Sequence, residues 1–345
     1  MLLSRRGLSV LLTLSVLSSP LAASAQGVVP SFKDVPATHA AFNAVEYLKE
    51  KGVLAGYSDG TFRPNTKVNR AEAVKIIVGS VVSKETIDAY PAAKIYSDVA
   101  VDAWYAAYVA YAQEKLGIID GPPKKTQFLP TQPVKKAEFL KMFLIANKID
   151  ASAAFSDLSG PLSPEVNAPS QWFYPSARFA IASSMTMADT NGMLQPETEL
   201  SRGDVALLLF RFDMYKQGRR NQALLGETEA EIAGILKDLE AKNADRAFMA
   251  SNRALIAARG ALLSKPDEAI IKGAVKTAEG FQTLVRAYQA GIAGNLDDVI
   301  RLCGDAWHLA EKAKEFAPSL EPLAMQMEAI AKNMADEARG LQKPN

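Results

Sequence analysis

The sequence predicts a mostly α-helical protein in two parts: three related helix–loop–helix units, then an α-helical bundle or helical-hairpin domain. Three observations carry this. A short aromatic–polar–Asp–aliphatic motif occurs three times in the first two-thirds of the chain, as Phe32-Lys33-Asp34-Val35, Tyr96-Ser97-Asp98-Val99 and Phe155-Ser156-Asp157-Leu158, with starts 64 and 59 residues apart. Each copy precedes an aromatic-bearing helical segment, a turn-forming loop and a strongly apolar helix, the signature of a repeat architecture. Beyond Lys216-Gln217-Gly218-Arg219-Arg220 the composition shifts to Ala, Glu, Lys and Leu, with prolines only at segment ends.

The repeated unit reads element by element. The first helices are expected at Phe42 to Lys51, Trp104 to Lys115 and Trp172 to Ser184. The loops are Gly56-Tyr57-Ser58-Asp59-Gly60-Thr61-Phe62-Arg63-Pro64, then Asp120 to Pro130, then Asp189 to Pro196. The second helices open with Asn69-Arg70-Ala71-Glu72, Lys135-Lys136-Ala137-Glu138 and Ser201-Arg202-Gly203-Asp204. Asn69 and Ser201 are good N-caps, and a carboxylate three residues later gives capping-box spacing. Val74, Ile76, Ile77 and Val78, then Phe139, Met142, Phe143 and Ile145, then Leu207, Leu208, Phe210 and Phe212 make these helices apolar over most of their surface. Such helices belong in the centre of a core, which one unit is too small to supply alone.

These motifs resemble the S-layer homology (SLH) domain family. The first repeat matches closely, the second fairly, and the third is stretched by Gly160 to Gln171; together they cover roughly residues 30 to 216. The resemblance implies a pseudo-threefold bundle, with repeats at 30–90, 94–150 and 153–216 and binding grooves between neighbours. It also implies non-covalent attachment to an anionic, often pyruvylated, cell-wall polysaccharide or a peptidoglycan-linked polymer. The residues expected to bind are Arg70, Glu72, Gly56, Asp59, Trp104, Lys136, Glu138, Trp172, Arg202 and Asp204. The chemistry suits the ligand: a guanidinium fork pairs with a carboxylate in two parallel bonds. A helix N-terminus adds N–H groups and partial positive charge, and an indole face packs against a sugar ring. The chain departs from the family where Ala40-Ala41 replaces Trp-Ala, where Lys136 replaces Arg, and where Asp204 shortens the acid. The three grooves are therefore expected to differ.

Composition narrows the function classes. The 345 residues are 48% apolar and 22% charged, enough for two or three folded domains, and 39 basic against 38 acidic residues give a net charge of +1. That balance argues against a nucleic-acid partner. A single cysteine, Cys303, excludes an internal disulfide, and two histidines, His39 and His308, argue against zinc sites and His-based triads. No cofactor or metal is expected. Arg5-Arg6, the apolar run Leu8 to Leu17 and Ala23-Ser24-Ala25 read as a signal peptide over 1–25. Its removal leaves an exported chain without a transmembrane segment, located at the cell wall or S-layer.

The last third, 226–342, is expected to form four helices: Thr228 to Leu263 with a break near Ala244, Asp267 to Ala293, Leu296 to Phe316, and Leu320 to Leu341. Ile232, Ile235, Leu236 and Leu239 mark the buried face of the first, and Leu302, Leu309 and Phe316 that of the third. From Arg220 on there are 16 basic and 18 acidic residues. A spacer or assembly role is preferred, with a surface for a protein partner near Trp307 as the alternative.

Several motifs are set aside. Gly56-Tyr57-Ser58-Asp59-Gly60 fits a hydrolase nucleophile elbow in letters, but a helix precedes it where that elbow needs a strand. Asp189-Thr190-Asn191-Gly192 lacks the remaining ligands of a calcium loop, and Asp297-Asp298 lie at a helix start beside Asn295. His308 reads as ordinary helix packing. A wall-tethered enzyme would need convergent acids or a nucleophile with a base in the last third, where carboxylates are scattered. The expectation is a non-catalytic envelope protein, the alternatives being a wall-tethered adaptor or enzyme.

Overall fold

The computed structural model describes residues 29–119 and 126–342. The expected signal peptide and the start of the second repeat's loop lie outside the described residues.

The first part contains α1 (Phe42–Glu50), α2 (Arg70–Val81), α3 (Lys84–Asp88), α4 (Ala106–Tyr111), α5 (Lys136–Ala146), α6 (Tyr174–Ala182) and α7 (Arg202–Lys216). Apart from three isolated antiparallel bridges, no strand occurs among the described residues. Those bridges close the repeats into a ring. The Val68 N–H donates to the Leu200 carbonyl, Leu200 to Val134, and Val134 back to Val68, at 2.9, 3.0 and 2.9 Å. The three residues lie 66 positions apart, so the pseudo-threefold axis is written in backbone hydrogen bonds.

Around this axis α2, α5 and α7 bury most of their length, with Ile77, Phe139, Phe143, Leu144, Leu209 and Phe212 at most 3% exposed. Phe143 meets Phe212 edge-on, with ring centroids 5.1 Å apart. Asn69 and Ser201 each cap their helix through a reciprocal box with Glu72 and Asp204, as the sequence predicts. α4 differs from its counterparts. It passes into a π-helical turn at Ala112–Leu116, which absorbs one extra residue before the left-handed Gly117.

The loop motif recurs with one correction. Asp34 accepts the N–H groups of Phe62 and Arg63, both at 2.7 Å, and Asp98 those of Phe128 and Leu129, both at 2.8 Å. In the third repeat this role falls to Glu165, which takes Leu194 and Gln195 at 3.3 Å. Val166 is buried beside it, as Val35 and Val99 are beside their aspartates. The sequence alignment on Phe155-Ser156-Asp157-Leu158 was therefore out of register: Asp157 pairs with Arg259 on the second domain. A longer carboxylate and an inserted segment hid the equivalence.

The second part contains five helices rather than four: α8 (Asn221–Glu240), α9 (Ala244–Ser264), α10 (Ala269–Ile292), α11 (Leu296–Phe316) and α12 (Glu321–Gln342). The anticipated break near Ala244 is a full reversal, with Lys242 left-handed at φ 59° and Asn243 capping α9. Successive helices pack as antiparallel neighbours, with α10 touching all four others. Ile232, Ile235, Leu236 and Leu239 are buried as expected. On α11 the buried stripe is Val299, Cys303, Ala306, Ala310 and Ala313, one position along from the anticipated Leu302–Leu309–Phe316 face, because alanines let α10 and α12 approach closely. His308 is a second correction: it stands exposed, with Glu311 at 3.3 Å, rather than packed.

The two parts share one core. Leu162, Tyr174, Ile181 and Leu194 of the third repeat form a continuous cluster with Leu224, Ile256, Ala257, Ala261 and Ile271. α6, buried along nearly its whole length, lies between α5 and α9. The segment that stretches the third repeat supplies the carbonyls of Pro161 and Leu162 to Asn252 and Arg253. The third repeat diverges from the other two because it carries the docking face for the helical domain.

Candidate functional site

Each seam between repeats is built from a helix start of one repeat and the loop of the next. The N–H groups of Arg70 and Ala71 donate to the carbonyls of Gln132 and Pro130, those of Lys136 and Ala137 to Thr198 and Pro196, and those of Arg202 and Gly203 to Thr66 and Pro64, all at 2.8–3.1 Å. The expectation that these N-termini offer open N–H groups to a ligand is thus corrected: neighbouring repeats already occupy them.

The basic side chains at these starts follow suit. Arg70 Nε donates to the Phe128 carbonyl at 2.8 Å, Lys136 Nζ to Leu194 at 2.9 Å, and Arg202 Nε to Phe62 at 2.8 Å. Arg202 also reaches the Ala55 carbonyl at 2.7 Å. Arg70 is only 7% exposed. Its guanidinium faces the Phe128 ring at 5.2 Å and lies 3.9 Å from Glu138. Burial lowers the pKa values of Arg70 and Lys136. These residues hold the ring closed, and the accepting carbonyls are presented by left-handed residues one position on, Arg63, Leu129 and Gln195, at φ 53–59°.

The acidic positions are capping groups. Glu72 accepts the Asn69 N–H at 2.9 Å, Glu138 that of Lys135 at 3.0 Å, and Asp204 that of Ser201 at 2.8 Å. Gly56 is a steric requirement: a Cβ there would lie 2.7 Å from the Thr61 carbonyl oxygen and nearer still to the Phe32 ring. Asp59 shapes its turn by accepting Thr61 and pairing with Arg63 at 3.0 Å, and these hydrogen bonds, Thr61 first, hold its pKa well below the usual carboxylate range. The Arg63 guanidinium stacks 3.9 Å from the Tyr57 ring.

The two tryptophans are the solvent-facing members of the set. Trp104 is 55% exposed and Trp172 52%. Each stands edge-on to the next aromatic, Tyr105 or Phe173, with ring centroids 5.1 and 5.3 Å apart. Across the seam a lysine from the preceding repeat lies over each indole: Lys75 Nζ is 5.1 Å from Trp104, and Lys141 Nζ 5.7 Å from Trp172. The sequence reading missed both lysines. The available signal was their position, five residues after Arg70 and Lys136 on the same helix. At the seam between repeats three and one, the equivalent positions are Leu207 and Ala40, so that pair is absent.

The seam between repeats two and three carries a further feature, a cleft of about 180 Å3 lined by Lys136, Met185, Thr186, Gln195, Asp204 and Arg211. Arg211 donates to the Met185 carbonyl at 3.1 Å, and burial lowers its pKa. Two partly buried cations and the Asp204 carboxylate thus face one small cleft, which Leu200, Leu207 and Leu208 also line. No group of three or more His, Cys, Asp or Glu side chains suited to a metal occurs among the described residues, and none of the described helices is long and apolar enough to cross a membrane.

The S-layer homology domain model matches residues 31–74 and 95–140. The chain is similar to S-layer protein EA1 of Bacillus anthracis, 28% identical over 221 residues, covering 62% of this chain and 23% of that protein. It is likewise similar to an S-layer protein of Bacillus licheniformis, 29% identical over 194 residues, with 54% and 20% covered. An S-layer protein of Bacillus thuringiensis subsp. finitimus is 26% identical over 201 residues, with 56% and 22% covered. The match thus spans about a fifth of the length of these curated relatives. With two repeats matched by the family model and a third unit related to them by the 66-residue period of the ring, the first part of the chain carries S-layer homology repeats.

Proposed function

We propose that this chain is a non-catalytic cell-envelope protein that attaches to an anionic wall polysaccharide through two of its three inter-repeat seams, and that its helical domain projects as a rigid spacer. The observation that carries the reading is the lysine-over-tryptophan pair, its indole half in solvent, at each of the first two seams. An indole left half in solvent offers a flat apolar face to a sugar ring. The ammonium beside it supplies a positive charge for a carboxylate such as that of a pyruvyl ketal. The pair is missing at the third seam, whose mouth is filled by Tyr57, Arg63 and Asp59. Arg70, Lys136 and Arg202 act in this reading by fixing the seam rather than as open ligand forks. Glu72 and Glu138 act by capping the helices that carry the lysines, and Asp204 caps the third helix of the ring.

Pull-down with purified sacculi, before and after removal of their attached polymer, tests the attachment. Retention on intact sacculi and loss on stripped ones supports it. Equal retention on both contradicts it.

A further inference from the structure

A cleft that none of the foregoing uses lies between the third repeat and the helical domain. It encloses about 670 Å3, a volume ordinary for a ligand site. One wall is the tight turn Asp189–Met193; the other is formed by α8 and α9, with Gly234, Lys237, Arg246 and Arg253 among its lining.

The charges in this cleft are unevenly satisfied. Arg253 at its floor is spent: Nε and Nη2 grip Glu231 at 2.6 and 2.7 Å, and Nη1 meets the Leu162 carbonyl at 2.5 Å. The Asp189 carboxylate is spent on the N–H groups of Asn191 and Met193 and on the Gln195 amide at 2.8–3.0 Å. Arg246 holds Asp238 loosely at 3.5 Å. Lys237 is exposed, and its side chain makes no ion pair or hydrogen bond among the described residues. The lining balances three acids, Asp189, Glu231 and Asp238, against three bases, Lys237, Arg246 and Arg253, and of these the Lys237 ammonium is the group left without a partner among the described residues. Gly234 keeps the helix wall open, since a Cβ there would meet nothing within 4 Å.

The cleft is also contiguous with the seam between repeats two and three. Gln195 lines the seam cleft, Asp189 lines this one, and the two side chains are hydrogen-bonded to each other. A chain-like ligand would have to cross this Gln195–Asp189 pair to reach from the seam into the second cleft.

We infer that the inter-domain cleft is a second subsite for an anionic polysaccharide, extending the seam site and taking a carboxylate-bearing sugar against Lys237 and Arg246. The inference rests on the wall-attachment reading. The helical domain is, on this account, part of the binding apparatus: it lengthens the stretch of polymer that one molecule holds, and so raises avidity for long chains over short ones.

The test uses the full chain and polysaccharide acid-released from purified sacculi, sorted into short and long fragments and titrated by calorimetry. Lys237→Glu reverses the free charge without removing a partner, and Gly234→Phe fills the cleft. Both should weaken binding of long fragments about five-fold, the scale of one partly exposed charge contact, and leave short-fragment binding unchanged. Unchanged long-fragment affinity in both variants, with folding verified by circular dichroism, overturns the subsite. So does an equal loss for short and long fragments. Failure of the wild-type chain to bind either length contradicts the wall-attachment reading itself, a different outcome from loss of length dependence.

Discussion

Gly260 sits where α9 crosses α6, and it tests whether the helical domain is fused to the third repeat or merely follows it. A Cβ built at Gly260 would lie 2.6 Å from the carbonyl carbon of Ala182 and nearer still to its oxygen. The obstacle is backbone inside a helix, so no side chain can swing away. The Tyr215 hydroxyl also donates to the Gly260 carbonyl at 3.2 Å, fixing the crossing from a third helix. Gly260→Ala gains about 1 kcal/mol of helix propensity but must push the helices apart, and overpacking of this kind costs about 1–3 kcal/mol. Two helices backed by a continuous core give little room, so we expect a net loss of about 1–2 kcal/mol. Gly304→Ala, on α11 with nothing within 4 Å of its Cβ, has only the propensity term and should gain about 0.5–1 kcal/mol. Urea unfolding of both variants beside the wild type gives the comparison. If Gly260→Ala is as stable as Gly304→Ala, the fused interface is wrong.

Two further outcomes follow from buried charge. Arg70→Ala removes a charged donor and leaves the buried Phe128 carbonyl unpaired, costing about 1.5–3 kcal/mol. Arg70→Lys should cost clearly less, because Lys136 already makes the equivalent bond in the next seam, and denaturant midpoints of the two variants separate these values. Glu227 is 5% exposed, with both carboxylate oxygens lacking a hydrogen-bond partner. Burial, reinforced by Glu231, pushes its pKa up to about 8. Because the folded value exceeds the unfolded one, its stabilising contribution is fully present below the unfolded value near 4.3. That contribution fades as pH rises through about 8. Stability should fall between these limits by up to about 1.4 kcal/mol per pH unit, and Glu227→Gln should flatten that part of the profile in pH-dependent unfolding.

The helical class, the three units and the capping boxes were legible in the sequence because each rests on local chemistry: Asn69 or Ser201 with a carboxylate three residues on, and apolar second helices. The helical-domain topology was nearly so, with one helix divided because the reversal at Lys242–Asn243 carries neither glycine nor proline. What the sequence hid was non-local. Glu165 replaces an aspartate across an insertion, so its kinship with Asp34 and Asp98 shows only in the N–H groups it accepts. Arg70 looks like a free ligand fork until the Phe128 carbonyl from the next repeat is seen beneath it. Lys75 and Lys141 gain meaning only when the ring sets them over indoles from the following repeat.

The central claim is that binding resides at the two seams that present an exposed tryptophan beside a lysine. Calorimetric titration of wall polysaccharide into the wild-type chain, Trp104→Ala, Trp172→Ala and the double variant tests it most directly. Both indoles are half in solvent, so their removal should leave folding intact. Loss of a stacking face of this kind is worth about 0.5–1.5 kcal/mol beyond area burial, so each single variant should lose about three- to ten-fold in affinity at its own seam. The double variant should lose measurable binding while its unfolding midpoint stays at the wild-type value. A folded double variant that retains wild-type affinity would contradict the account and move the binding surface away from these seams.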